Sequence, residues 1–292
     1  MSHLREVLAQ VLPQTPHARV NTLQGGGAMK RSIAFVADLH VGNRYAIAPA
    51  GWRSKEGNVL HLNEGQFDLY QNFLDFCKRC DEHEVDTVVL VGDLVDGPNR
   101  KGYGRLLMTR DINEQIEMAV ALLKPLCRDR KVYGVEGSGY HVLPGGTSAD
   151  QLVVQLLGGE WKGPIAIGRF SPSNLLWNIQ HGQSGAMIYR ETVLAREQIF
   201  MNAAAGLGKI ELTHVMVRGH WHWFYFDATN SQWKIQVPGW ACFIPNKIYL
   251  RSYGKMQPDI GGVIVQITDE DRLVLREYLY PLPKIADTSE EL

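Results

Sequence analysis

DTVVLVGDLVDG, residues 86–97, decides the fold. Five β-branched or apolar residues, Val88 to Val91 behind Thr87, run without a polar break into Gly92-Asp93. A short, continuous apolar run that ends in a polar turn reads as a strand buried on both faces. The sequence before it, NEGQFDLYQNFLDFCKRC (63–80), spaces Phe67, Tyr70, Phe73, Leu74 and Cys77 as on a helix, with Asn63 as its N-cap. The sequence after it, DINEQIEMAVALLKPLC (111–127), is helical again, with Asp111 as cap. Outward from these lie two more apolar runs, SIAFVADLH (32–40) and KVYGVEG (131–137). Strands alternating with helices imply a mostly parallel sheet built from right-handed crossovers.

Past Gly145 the texture changes. A helix over about 148–157 precedes the strand NLLWNIQHG (174–182), and RETVLAREQIFMNAAAG (190–206) is a helix. THVMVRGHWH, WFYFDA, QWKIQV, GGVIVQIT and RLVLREYLYP follow, with ATNS and TDED as hairpin turns. The second half is expected to be strand-rich and largely antiparallel. Residues 1–31 read as an N-terminal extension and linker, with a short amphipathic helix over 3–12; 32–284 form the main domain and 285–292 a tail.

Composition narrows the class. The chain has 292 residues, 45% apolar and 21% charged, which is ordinary for a globular protein. A net charge of −1 gives no overall basic field to advertise nucleic acid. No apolar run of about 18 residues predicts a membrane span, and the N-terminus is too polar for a secretory signal. The expectation is a cytoplasmic protein. Its four cysteines fit reduced, structural thiols: the Cys77-Cys80 pair lies inside a helix instead of opening one.

Polar residues recur where the strands end: Asp38 and His40, Asp93 and Asp96, GSGYH at 137–141, His181, then His220 and His222. In an open α/β sheet the carboxyl ends of neighbouring strands lie together. Carboxylates and imidazoles gathered there call for a positive centre. Mixed Asp and His donors suit Mn, Fe, Zn or Ni better than Mg or Ca. Asp38 and His40, like His220 and His222, are i, i+2 pairs whose side chains point the same way on an extended chain, and Gly219 is expected to permit the bend before His220.

DLH, GDLVDG, QHG and GHWH, in that order and each after an apolar strand, resemble the calcineurin-like metallophosphoesterase superfamily, whose pattern is DxH, GDxxD, GNH, a lone His and GHxH. The resemblance covers about residues 32–228. It implies a four-layer αββα sandwich of two mixed sheets flanked by helices. It also implies a phosphoester hydrolase that uses a hydroxide held by two divalent ions, Mn2+ being the expected metal. Asp38, His40 and His222 would hold the first ion, Asp93 would bridge, and His181 and His220 would hold the second. Asp96 would orient a ligand or water.

One block departs. Ser138 stands where the family has Asn, and the histidine arrives two residues late as His141, a loop similar to that of phage-type members. Either His141 protonates the leaving oxygen while Ser138 or water replaces the Asn, or His141 is itself a ligand. Substrate class stays open between nucleic acid and a small phosphoester; a non-catalytic scaffold is the third reading. Trp221, between two ligands, is expected at the site mouth against a base or sugar, with Arg53, Arg100 and Lys101 meeting phosphates.

Overall fold

The computed structural model describes residues 17–22, 29–99, 103–139, 148–183, 185, 189–229, 231–242 and 258–283. Two sheets pack face to face. The first orders its strands β1-β12-β11-β2-β3-β4-β5. Its members are β1 (His17–Thr22), β2 (Met29–Val36), β3 (Thr87–Leu90), β4 (Lys131–Gly134), β5 (Glu160–Trp161), β11 (Ile260–Thr268) and β12 (Leu273–Tyr280). β2 through β5 pair in parallel, and β11, β12 and β1 extend the sheet antiparallel from β2. The second sheet runs β6-β7-β8-β10-β9, from β6 (Ile165–Arg169), β7 (Leu176–Gln180), β8 (Val215–Arg218), β9 (Tyr225–Ala228) and β10 (Trp233–Gln236).

The antiparallel pairing expected of the second half holds for β6-β7, β9-β10 and β11-β12, whereas β7, β8 and β10 pair in parallel, so the second sheet is mixed. Its central strands are buried on both faces, which suits parallel pairing with crossovers. In the N-terminal stretch read as an extension, β1 pairs with β12 and β2 begins at Met29. The helix expected over 3–12 lies outside the described residues.

Helix α1 (Glu64–Glu82) opens with a capping box: Asn63 accepts from the Gln66 backbone N–H, and the Gln66 side chain accepts in return. Its buried face is Leu69, Phe73, Phe76, Cys77 and Cys80, whereas Phe67 and Leu74 point to solvent. The 3- and 4-residue steps from Leu69 to Cys80 give the sheet one continuous stripe, which the Phe67 register does not. Helices α2 (Ile112–Cys127) and α3 (Ala149–Leu156) cover the same side. A second apolar core, with Phe35, Val89, Trp177, Val217 and Ile235, fills the space between the sheets. Helix α4 (Arg190–Gly206) lies over the second sheet and completes the αββα layering. Among the described residues no helix is long and apolar enough to cross a membrane. All four cysteines are free, and burial pushes the Cys77 thiol up to about 12, so it stays protonated.

Candidate metal centre

The site forms where both sheets end on the same side. Asp38 and His40 follow β2, Asp93 follows β3, Ser138 follows β4, His181 follows β7, and His220 and His222 follow β8. The i, i+2 pairs do not rely on extended chain. Asp38, His40, Asp93, His220 and His222 all adopt positive φ, between 45° and 80°. Such backbone is uncommon for non-glycine residues and persists only where the surroundings hold it. Here the bends are pinned: Asp38 N–H donates to the Gly92 carbonyl at 3.1 Å, and His40 N–H to the Asp93 carbonyl at 3.0 Å. Gly219, expected to supply the bend, has no positive φ; a Cβ there would sit 2.9 Å from the Ala37 Cβ and 3.1 Å from an Asp38 oxygen. It is a close-approach glycine, and the bend falls on the histidines themselves.

Two groups of donor atoms result. Asp38, His40 and His222 form one, and Asp93, His181 and His220 the other; within each, the donor atoms lie within 4.8 Å of one another. The Nε2 atoms of His40 and His222 face each other at 3.2 Å. Asp38 Oδ1 is buried without a hydrogen bond, and around it lie Nε2 of His222 at 3.4 Å, of His181 at 3.7 Å and of His40 at 3.8 Å. Asp93 Oδ2 is 2.9 Å from His181 Nε2 and 4.0 Å from His40 Nε2. Lone pairs converging in a buried space require a cation among them, and the Asp and His donors fit borderline divalent ions.

The ring orientations are set from behind. His181 donates through Nδ1 to the Val91 carbonyl at 2.6 Å, which leaves Nε2 facing the site. His40 Nδ1 faces Asp96 Oδ1 at 3.3 Å, and Asn99 donates to the other Asp96 oxygen at 2.6 Å. A ring held at one nitrogen presents the other as a ligand. The His220 backbone N–H donates to Asp38 Oδ2 at 2.8 Å, so the two ligand loops are joined directly.

Protonation follows the same geometry. Burial disfavours charge on His181, yet Asp93 and Asp38 outweigh it and hold the imidazole up at about 9. His40 behaves alike: against burial, hydrogen bonding to Asp38 and Asp96 raises it well above the ordinary range. Burial pushes His222 down to about 4, and burial with the His181 charge lowers His220. Asp38 is held low despite its burial, with His222 and then His181 opposing. A His222 that is neutral above pH 4 lends Asp38 no charge near pH 7, so its depression there rests on His181 and His40.

Other expected residues divide. Ser138 reaches the site: its N–H donates to Asp93 Oδ1 at 2.6 Å and its hydroxyl to Oδ2 at 3.1 Å. Trp221 does not line a mouth. It is 3% exposed and packs with Val193, Leu194 and Trp223 beneath α4, against Gly182, where a Cβ would meet its ring at 2.9 Å. Enclosed in this way it offers no open face to a base. Arg53 is exposed on a small turn bridged to Val59. Lys55 beside it lies within 4 Å of Asp111 and Glu117. His141, Arg100 and Lys101 lie outside the described residues. The sequence reading missed Asp150, whose one signal was an acid in the first turn of the helix after the GSG block.

Comparison with known proteins agrees with this reading. The profile of the calcineurin-like phosphoesterase family matches residues 31–148. Over that span the chain is similar to the calcineurin-like phosphoesterases. These are metal-dependent phosphoester hydrolases, and the matched span holds Asp38, His40, Asp93, Asp96 and Ser138. His181, His220 and His222 lie beyond it and reach it through the second sheet. Similar solved structures include a novel archaeal phosphodiesterase (13% identity, 85% of this chain and 99% of that one, TM-score 0.44). A dimetal phosphatase from Danio rerio has 12% identity over 86% of this chain and 96% of that one, TM-score 0.47. Zn-complexed Vps29 from Entamoeba histolytica has 15% identity over 88% and 94%, TM-score 0.43. No curated protein matches the chain in sequence.

Proposed function

We propose that this protein is a metallophosphoesterase that hydrolyses phosphodiesters at a dinuclear centre, with nucleic acid as the substrate class and Mn2+ as the ion. The observation that carries the dinuclear reading is the presence of two buried donor groups side by side, Asp38, His40 and His222 and Asp93, His181 and His220. In this reading Asp38, His40 and His222 hold one ion, His181 and His220 the other, and Asp93 bridges. The approach of one Asp93 oxygen to both His181 and His40 supports that last assignment. Two ions held by these residues would supply a lowered pKa to water and neutralisation of phosphoryl charge. Asp96 keeps the His40 ring in place. His141 protonates the leaving oxygen. A cytoplasmic setting belongs to the same reading, supported by four free cysteines.

The test is hydrolysis of bis-p-nitrophenyl phosphate and p-nitrophenyl phosphate, with Mn2+ and with chelator. Faster, chelator-sensitive cleavage of the diester is expected. No turnover of either ester with Mn2+ would instead leave a non-catalytic scaffold. A small-substrate reading is favoured by one pair of observations: Trp221 is buried, and Lys55 is engaged by carboxylates. Arg53→Glu decides between the two. If nucleic acid is the substrate, log affinity for DNA against log salt becomes shallower by about one contact, while the nitrophenyl diester rate stays put. A wild type that does not bind DNA rules for the small substrate.

A further inference from the structure

Asp150 stands in the first turn of α3, 57 residues from Asp93 in sequence, and is 3% exposed. Its two oxygens accept three backbone N–H groups. Oδ2 takes those of Asp93 and Gly137, each at 3.0 Å, and Oδ1 takes that of Leu94 at 2.9 Å. One buried carboxylate thus closes the turn after β3 and the turn after β4 onto each other. A carboxylate receiving several N–H groups in low dielectric makes strong, charge-assisted bonds.

The closure has a consequence at the ligand. Gly137 is drawn so near that a Cβ on it would lie 2.1 Å from Asp93 Oδ1 and 2.7 Å from Asp150 Oδ2. Ser138, next in the chain, is thereby delivered to Asp93 and donates to both of its oxygens, at 2.6 and 3.1 Å. The Asp93 carboxylate therefore has its rotation fixed from one side by Ser138, whose position is fixed by Asp150 through Gly137.

We propose that Asp150 is a positioning residue for the metal centre, acting through Gly137 and Ser138 to hold the Asp93 carboxylate in the orientation that serves the Asp93, His181 and His220 group. The inference rests on the dinuclear reading. It assigns Ser138 a role as donor to a ligand, and the Asp93 bonds occupy its N–H and hydroxyl proton. The Asp38, His40 and His222 group has its own supports in Asp96 and the His220 N–H, so it loses only its share of the bridging Asp93.

The experiment is Mn2+ titration by calorimetry, with electron paramagnetic resonance for the spin-coupled pair, on wild type, Asp150→Asn and Ser138→Ala. Asp150→Asn keeps the size but replaces one acceptor oxygen with an NH2 that cannot receive an N–H. The expected result is the ion of the Asp93, His181 and His220 group weakened at least tenfold and the other, which keeps Asp38, His40 and His222, weakened less, with the coupled-pair signal lost at limiting Mn2+. Ser138→Ala removes only the hydroxyl donor, so it folds as wild type does, and it should weaken the same ion by about threefold, the scale of one modest hydrogen bond. A purely structural role would lower thermal stability in chelator while leaving both Mn2+ affinities equal to wild type; that result overturns the proposal. If Asp150→Asn does not fold, Ser138→Ala decides, and unchanged affinity for both ions again overturns it. Wild type binding fewer than two Mn2+ would refute the dinuclear reading itself, a separate outcome.

Discussion

The two sheets meet at the metal centre but are held by different chemistry. The first contributes Asp38, His40 and Asp93; the second contributes His181, His220 and His222, and each donor group draws on both. Behind the first sheet, α1 buries Leu69, Phe73 and Phe76 in a dense apolar layer shared with α2 and α3. Behind the second, α4 buries only Val193 and Leu194. Its other attachments are polar: Glu197 on Arg218 at 2.7 Å, and Gln198 and Asn202 on Gln232. Arg218 is 1% exposed and also donates to the Asn178 and Val217 carbonyls, so it joins β7 to β8 directly below His181 and His220. One sheet is held to its helices by area, which is non-directional. The other is held by a few geometrically exacting bonds. The imidazole half of the centre therefore depends on angles more than the carboxylate half does.

The strongest way to break this comparison acts where the halves share a residue. Asp93→Asn removes the carboxylate approached by both His40 and His181. Hydrolysis of the nitrophenyl diester should be abolished. The stabilisation that Mn2+ gives the wild type, about 2.7 kcal/mol at a hundred times Kd, should shrink to that of a single weak site. A variant with full activity would end the dinuclear reading.

Next come the two helix layers, one variant each. Phe76 is fully buried against Trp240 and Tyr278, and Gly262 is cut short to admit its ring. Phe76→Ala should cost about 3–5 kcal/mol in urea denaturation. Glu197→Ala touches almost no apolar area, yet leaves the buried Arg218 charge without its carboxylate. It should cost about 3 kcal/mol, because stranding one member of a buried pair is expensive. Should Glu197→Ala cost under about 1 kcal/mol, the claim that directional polar bonds hold α4 is wrong.

The sequence made the first sheet legible because its strands are continuous apolar runs and its helices carry capping signals at Asn63 and Asp111. The candidate donors were legible because Asp and His recurred after successive apolar strands in a recognisable order. What could not be read was how loops close. Nothing in GHWH shows that both histidines take positive φ, since backbone sign is set by hydrogen bonds to residues far away, such as that from the His220 N–H to the Asp38 carboxylate. Trp221 was misplaced for a related reason: neighbouring a ligand in sequence does not fix which side of a bend a ring takes. Phe67 and Leu74 suggested the wrong register on α1, where several apolar stripes overlap and only the sheet selects among them.

Within the carboxylate half, a milder test separates support from ligation. Asp96 holds His40 by Nδ1 and is itself held by Asn99. Asp96→Asn should keep the fold and lower Mn2+ affinity 10- to 100-fold, the usual range for a partner behind a ligand. The loss should fall on the ion of the Asp38, His40 and His222 group. Loss of the other ion instead would mean that the two groups are not independently supported.

The smallest expected effect lies on α4 itself. Phe200 is 67% exposed, as is Ile199, and neither joins the apolar cluster beneath the helix. If α4 is held by its polar contacts and by Val193 and Leu194, these side chains contribute nothing to the fold. Phe200→Ser should then shift stability by no more than about 0.5 kcal/mol in either direction, against about 3 for Glu197→Ala on the same helix. Urea denaturation of the two variants side by side reads this ratio directly. Equal losses would mean that the outer face of α4 is covered in the folded protein. The contrast between an area-held and an angle-held sheet would then fail on its angle-held side.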